Sequence, residues 1–189
     1  AILSGPVRIV NAAPGPLDKQ RLPVASATAQ LRIAADRVDA TKFAVAIAGG
    51  GSAAGEVRWS GGKLDAKVAV READLRSWHS ALRETKLSGD IAAVATQDAQ
   101  SFEVALADPR FEIRGEARIA GGVLTVARAR LARGPAFAEA SGTFALGGDS
   151  AFRAEGRIER LDPAAFAKVP AGELNATFAA KGTLAKAPS

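Results

Sequence analysis

The chain has 189 residues, with 25 Lys and Arg against 20 Asp and Glu, and it contains neither cysteine nor methionine. The missing cysteines exclude a disulfide framework, a thiolate metal site and a thiol nucleophile. The net charge of +5 is spread singly along the chain, usually beside an acid as in Glu112/Arg114, Glu116/Arg118 and Arg153/Glu155. That is the pattern of a solvated face, and it argues against a nucleic-acid reader.

No apolar run reaches the ~18 residues of a transmembrane helix. Pro6, Asn11, Pro14 and Asp18 interrupt any signal-peptide pattern at the amino end. With no methionine, and with Gly182-Thr183-Leu184 reading as the start of a strand, the sequence is expected to be one repetitive β segment, 1–189, of a longer protein. Any anchor or export signal would lie elsewhere in that protein.

Taken in order, Val7 to Val10 reads as a short strand, and the prolines and Gly15 of residues 11–18 make a loop. Residues 22–34 alternate around Leu31 and Ile33, and residues 38–48 around Phe43, Val45 and Ile47. Gly49-Gly50-Gly51 then turns the chain; it lacks the Lys-Ser/Thr of a phosphate loop and opens no helix. The clearest pattern follows. Val57 and Trp59 share a face with Leu64, Ala66, Val68 and Val70, while Glu56, Arg58, Lys63, Asp65, Lys67 and Arg71 take the other. Gly61-Gly62 between the two runs supplies the positive φ angles of a tight hairpin.

At 74–84 the period changes. Leu75, Trp78 and Leu82 lie three and four apart behind Asp74, which predicts a short capped amphipathic helix. Strands are predicted over 87–96, 102–107, 111–119, 123–132, 137–146 and 152–158, with turns at Asp98-Ala99, Asp108-Pro109, Gly121-Gly122, Gly134-Pro135 and Gly147-Gly148-Asp149. Asp90, Asp98, Asp108 and Asp149 are read as turn acids. In the 123–132 strand Arg128 and Arg130 follow Leu124 and Val126 in the same parity, so a β-bulge near Val126 is expected. A second capped helix starts at Asp162-Pro163, with Leu161 and Phe166 as a hydrophobic staple. The last strand runs from Glu173 to Lys181.

Two repeats are visible. Gly55 to Leu64 returns as Gly115 to Leu124, with a looser copy at Gly142 to Gly148. A longer unit, roughly 37–91 and 110–174, combines several strands, a capped short helix and a Gly-acid-aliphatic strand start. Recurrence at this scale points to an elongated, mainly antiparallel all-β sheet. About a dozen strands at ~4.8 Å spacing make a ribbon roughly 50–60 Å long. Its apolar face must be covered. The abundance of alanine there suits either a hollow groove or closely packed sheets.

Gly182-Thr183-Leu184, the Asp74-Leu75 helix start, Leu87-Ser88-Gly89-Asp90-Ile91, the stretch Gly5 to Asp18 and Leu22-Pro23-Val24 resemble the TamB branch (of the translocation and assembly module) of the AsmA-like superfamily. The resemblance implies a sheet curled into a gutter with a hydrophobic interior. It implies a periplasmic location, within a protein anchored in the inner membrane of a Gram-negative cell. The implied role is phospholipid transport to the outer membrane, together with outer-membrane protein assembly. Phospholipid acyl chains would be one partner, and an outer-membrane barrel of the TamA type, reached through other parts of the full-length protein, a second.

On this view the groove lining is Val57 and Trp59, then Leu64, Val68 and Val70, then Phe102, Val104 and Leu106. It continues through Phe111, Ile113 and Ile119 to Phe144, Leu146, Phe152 and Phe178. The same residues could instead pack on one another, as in the β-scaffold of a surface adhesin or autotransporter passenger that binds a partner on its outer face. No enzymatic activity, cofactor or metal is expected. His79 is the single histidine and has no cysteine or second histidine to complete a site. A β-solenoid carbohydrate enzyme would need clustered Asp, Tyr or Trp, and the chain has no Tyr and two separated Trp.

Overall fold

A computed structural model describes residues 2–147 and 150–183. The expected turn at Gly147-Gly148-Asp149 and the end of Gly182-Thr183-Leu184 therefore lie partly outside the described residues. The chain is all-β and elongated. Its strands are β1 (Leu3–Val10), β2 (Val24–Ala34), β3 (Arg37–Ile47), β4 (Ser52–Ser60), β5 (Lys63–Ala73) and β6 (Leu87–Ala95). They continue as β7 (Ala99–Asp108), β8 (Phe111–Ala120), β9 (Val123–Arg133), β10 (Ala136–Ala145), β11 (Ala151–Leu161) and β12 (Leu174–Thr183). All twelve form one antiparallel sheet in strict chain order.

Local chemistry fixes the connections. Gly61 and Gly62 have φ of 56° and 76°, and Gly121 and Gly122 have 56° and 72°. Positive φ at both central residues is the two-residue turn whose twist matches the flanking strands. Ser60 consequently pairs with Lys63 and Ala120 with Val123. At this end of the sheet every connection is short. The opposite end carries the three long connections, 11–23, 74–86 and 162–173.

Those three connections come together as a cap. The Leu17 N–H donates to the Trp78 carbonyl at 3.0 Å, and Ser80 Oγ donates to the Asp18 carboxylate at 2.6 Å. On the other side the Arg83 N–H donates to the Phe166 carbonyl at 3.0 Å, and Leu82 forms a β-bridge with Ala167. Beneath the cap lies the core. Ile47, Ala73 and Leu161 end their strands, Leu87 and Phe111 begin theirs, and Val70 is close by; all six are buried. The Phe166 ring meets Phe111 edge-on, 5.0 Å between centroids and 75° between planes.

The expected helices shrink to single 3-10 turns. Asp74 caps Leu75–Ser77 through the Arg76 N–H at 3.0 Å, and Asp162 caps Pro163–Ala165 through the Ala164 N–H at 3.0 Å. Residues 79–84 do not continue the first as a helix. A nascent helix must repay a costly first turn with further internal bonds, and here the backbone is used otherwise. Lys168 N–H donates to the Ala81 carbonyl, while Arg83 N–H reaches Phe166. Trp78 remains 45% exposed. Phe166 packs on Phe111, and Asp90, expected at a turn, lies inside β6.

The two capped connections share a set of bonds. A left-handed residue, Glu72 (φ 51°) or Arg160 (φ 48°), precedes each. Its N–H donates to the side chain of Ser88 or Asn175, in the second position of the next strand. Ala73 pairs with Leu87, and Leu161 with Leu174. The Asp side chain also accepts from the far end of its loop, from the Thr85 N–H or the Gly172 N–H. Each unit thus ends its strand with a bulge, and bulges bend a sheet.

Two acids in the cap region carry a pH dependence. Burial pushes the Asp74 carboxyl up, but hydrogen bonds from the Arg76 side chain and from the Arg76 and Thr85 N–H groups outweigh it and hold the group below the usual range. Asp108 behaves alike: burial opposes, while the Arg110 side chain and the Lys86 and Arg110 N–H groups prevail. A carboxyl depressed in the folded state contributes stability above its unfolded pKa of about 3.9, and that contribution is lost as pH falls through the folded value. Urea midpoints should hold from neutrality down to about pH 5 and then drop. Asp108→Asn should be less stable at neutral pH and show a shallower acid drop; an unchanged acid slope would remove Asp108 from the account.

Candidate apolar groove

Register carries one apolar face across the whole sheet. Starting at β3, one row reads Phe43, Gly55, Val68, Ile91, Val104, Gly115, Ala129, Ala140, Gly156 and Phe178. The next row toward the hairpin turns reads Ala40, Val57, Ala66, Ala93, Phe102, Ala117, Val126, Gly142, Ala154 and Ala180. Beyond it Trp59, Leu64, Ile119, Leu124, Phe144 and Phe152 form a heavier flank. On the cap side Leu106, Ile113, Leu131 and Ile158 form another.

All the expected lining residues within strands fall on this face. Leu146 lies just past β10 and is half exposed. Two of them have a different surrounding: Val70 and Phe111 are buried in the core under the cap. The others are partly open, with Trp59 and Phe178 each 39% exposed.

The face is concave. Val104 on β7 and Phe178 on β12 line one cavity of about 560 Å³, together with Ile113, Leu131 and Ile158. The lining includes residues of every strand from β7 to β12, so the cavity runs across the strands; the curvature itself shows at the cap, where Phe111 at the start of β8 meets Phe166 and Leu82 pairs with Ala167. A second cavity, about 470 Å³, is lined by Leu124, Val126, Gly142, Phe144, Phe152 and Ala154. Ala129 and Ala140 belong to both, which makes the two cavities one trough.

Leu124, Val126, Ala129, Ala140, Ala154 and Ile158 were not among the expected lining residues. The phase slip in β9 hid the first three. Register shifts between Glu116/Ala117 and between Ala140/Gly142, so the bulge resets the parity and returns Val126 and Ala129 to one face. Arg128 and Arg130 go to the other face. Both bond the Glu139 carboxylate, at 2.7 and 3.1 Å, and Arg130 stacks 4.2 Å above the Phe137 ring. These two arginines hold the Glu139 carboxyl below its usual range. They leave the apolar face without charge.

Among the described residues, Gln100 is the one polar side chain that register places in the rows between cap and hairpins. Among the described residues, the pairings place Glu139, Ser141 and Thr143 in the parity opposite to Ala138, Ala140 and Gly142. The face offers hydrocarbon, and hydrocarbon it can hold, at about 25 cal/mol per Å² of apolar surface removed from water. His79 lies in the cap, its Nδ1 accepting the Ala81 N–H at 3.2 Å. No group of His, Asp and Glu suited to a metal ion occurs among the described residues. Comparison of the chain with protein-family models, with curated proteins and with solved structures finds no match.

Proposed function

We propose that this chain is a segment of a TamB-like bridge in the Gram-negative periplasm, and that its concave face carries phospholipid acyl chains between the inner and outer membranes. The observation that supports this most is the trough from Val104 to Phe178, open to solvent and walled by hydrocarbon. A monomeric protein rarely leaves such a surface contiguous and exposed unless something apolar occupies it. Each buried CH₂ of an acyl chain contributes about 0.8 kcal/mol. Rows of near-equivalent positions give many weak sites, which is what movement along a surface requires. The headgroup would stay in water along the groove mouth. Support for outer-membrane protein assembly, with a TamA-type barrel engaged by other parts of the full-length protein, belongs to the same proposal.

Phe144→Asp tests it. Phe144 lies in the trough wall, half-buried, between Leu124 and Phe152. Native mass spectrometry of protein made in a Gram-negative periplasm should show bound phospholipid in the parent chain. The variant should retain at least about tenfold less, equivalent to ~1.4 kcal/mol of lost affinity, with its β-sheet circular dichroism intact. A parent chain that carries no phospholipid and gains none from added vesicles would sink the proposal. The packed adhesin-like scaffold would then account for the sequence better.

A further inference from the structure

The groove is floored by small residues on every strand from β3 to β12 except one. β6 offers Gly89, Ala93 and Ala95, and β8 offers Gly115 and Ala117. β10 offers Ala138, Ala140 and Gly142, and β11 offers Ala154 and Gly156. β7, between β6 and β8, presents Leu106, Val104, Phe102 and Gln100 to the same four rows, with no Ala or Gly among them. Its large side chains stand beside small neighbours: Phe102 between Ala93 and Ala117, and Val104 beside Gly115. Phe102 therefore rises above the floor on both sides, while Val104 does so on the β8 side and has Ile91 beside it on β6. The cavity system ends at the same place. It runs from β12 back to Val104, and no residue of β3 to β6 lines it.

From these two observations we infer that β7 is a transverse bar dividing the apolar groove into two acyl-chain compartments, and that Phe102 is the residue that limits passage between them. The inference rests on the acyl-chain reading above and adds a property that reading does not contain. Phe102 occupies a row built mainly of small residues, Ala66, Ala93, Ala117, Gly142, Ala154 and Ala180, in which Val126 is the one other large side chain between β7 and β12. A chain lying along that track from the β12 side meets the ring end-on. Passing it requires the ring to leave its position, or the chain to climb over it and expose methylenes to water. The bar thus sets how far a chain seated on β8 to β12 can extend, and it makes crossing β7 the slow step.

The test uses the unmodified protein first. Vesicles of phosphatidylethanolamine and phosphatidylglycerol, doped with a phospholipid bearing a diazirine at the acyl terminus, are incubated with the chain and irradiated, and the adducts are mapped by peptide mass spectrometry. Adducts on residues 111–183 should exceed those on residues 38–95 by about tenfold, the discrimination expected for forcing a chain past a filled position. Phe102→Ala should bring the two regions within about twofold of each other, while Phe102→Leu, which keeps most of the bulk, should change the ratio less. Val104→Ala is the second variant should Phe102→Ala fail to fold. Equal adduct in both regions of the parent chain would overturn the bar and leave the acyl-chain reading standing. No adduct in either region would overturn both.

Discussion

Replacing Phe111 by alanine should lower the unfolding free energy by about 3–5 kcal/mol, the range for removing a buried aromatic ring. Phe111 opens β8 at 3% exposure and receives the edge-on Phe166 ring. The Arg110 guanidinium lies 5.9 Å from its centroid. Truncation leaves a cavity that the sheet cannot close, because Phe111 is held by backbone pairing with Asp108. It also frees Phe166, and with it the packing of connection 162–173 on the cap. The effect is large against the 5–15 kcal/mol that stabilises an ordinary domain. Urea unfolding should show a lower midpoint. Leu146→Ala, at a half-exposed position, should fall within about 0.5 kcal/mol. Equal effects at the two positions would mean that the cap is not where stability is concentrated.

Gly156→Val should destabilise by roughly 2–3 kcal/mol and should do so locally, by loosening β12 from β11. A Cβ at Gly156 would lie 2.5 Å from the Glu139 carbonyl oxygen and 2.6 Å from the Phe178 ring. The carbonyl cannot yield easily because it belongs to the β10 backbone, and the half-exposed ring, which covers the glycine from the paired position on β12, would have to swing away from it. Phe178 and Gly156 are thus one packing unit, an aromatic side chain filling the space a neighbour leaves empty. Hydrogen exchange should show lost protection across residues 174–183 with β4 to β8 little changed. Gly172→Ala is the control, since nothing lies within 4 Å of a Cβ there. Uniform loss of protection along the whole sheet would show that β12 does not open independently.

Much of this architecture was legible because it is local. Alternation in Val57/Trp59 and Leu64/Val68, the paired glycines at 61–62 and 121–122, and the parity slip at Arg128 each specify a strand, a turn or a bulge without reference to distant chain. The capping acids Asp74 and Asp162 were equally legible, since each satisfies N–H groups of its own turn. What lay beyond reach depends on curl. The spacing of Leu75, Trp78 and Leu82 reads as a helix until residues 166–168, far along the chain, take up the backbone groups a helix would use. Val70 and Phe111 look like any other residues of the apolar face until three connections close over that end. The bar at β7 was hidden for another reason. It emerges only when the register is carried through successive pairings, each bulge shifting the phase.

The strict chain order of the strands also dictates which contacts are entropically cheap. Each strand meets a partner adjacent in sequence, so the ribbon can zip hairpin by hairpin, with short loops to close at all but the three long connections. The cap is different: Ser80 finds Asp18 across 62 residues, and Arg83 finds Ala167 across 84. In an extended chain those encounters are improbable, whereas on a formed ribbon the same groups already stand on one edge, a few strands apart. The ribbon acts as the template that converts sequence distance into spatial neighbourhood. The cap thus ties distant connections together across a sheet that the bulges before Asp74 and Asp162 already bend.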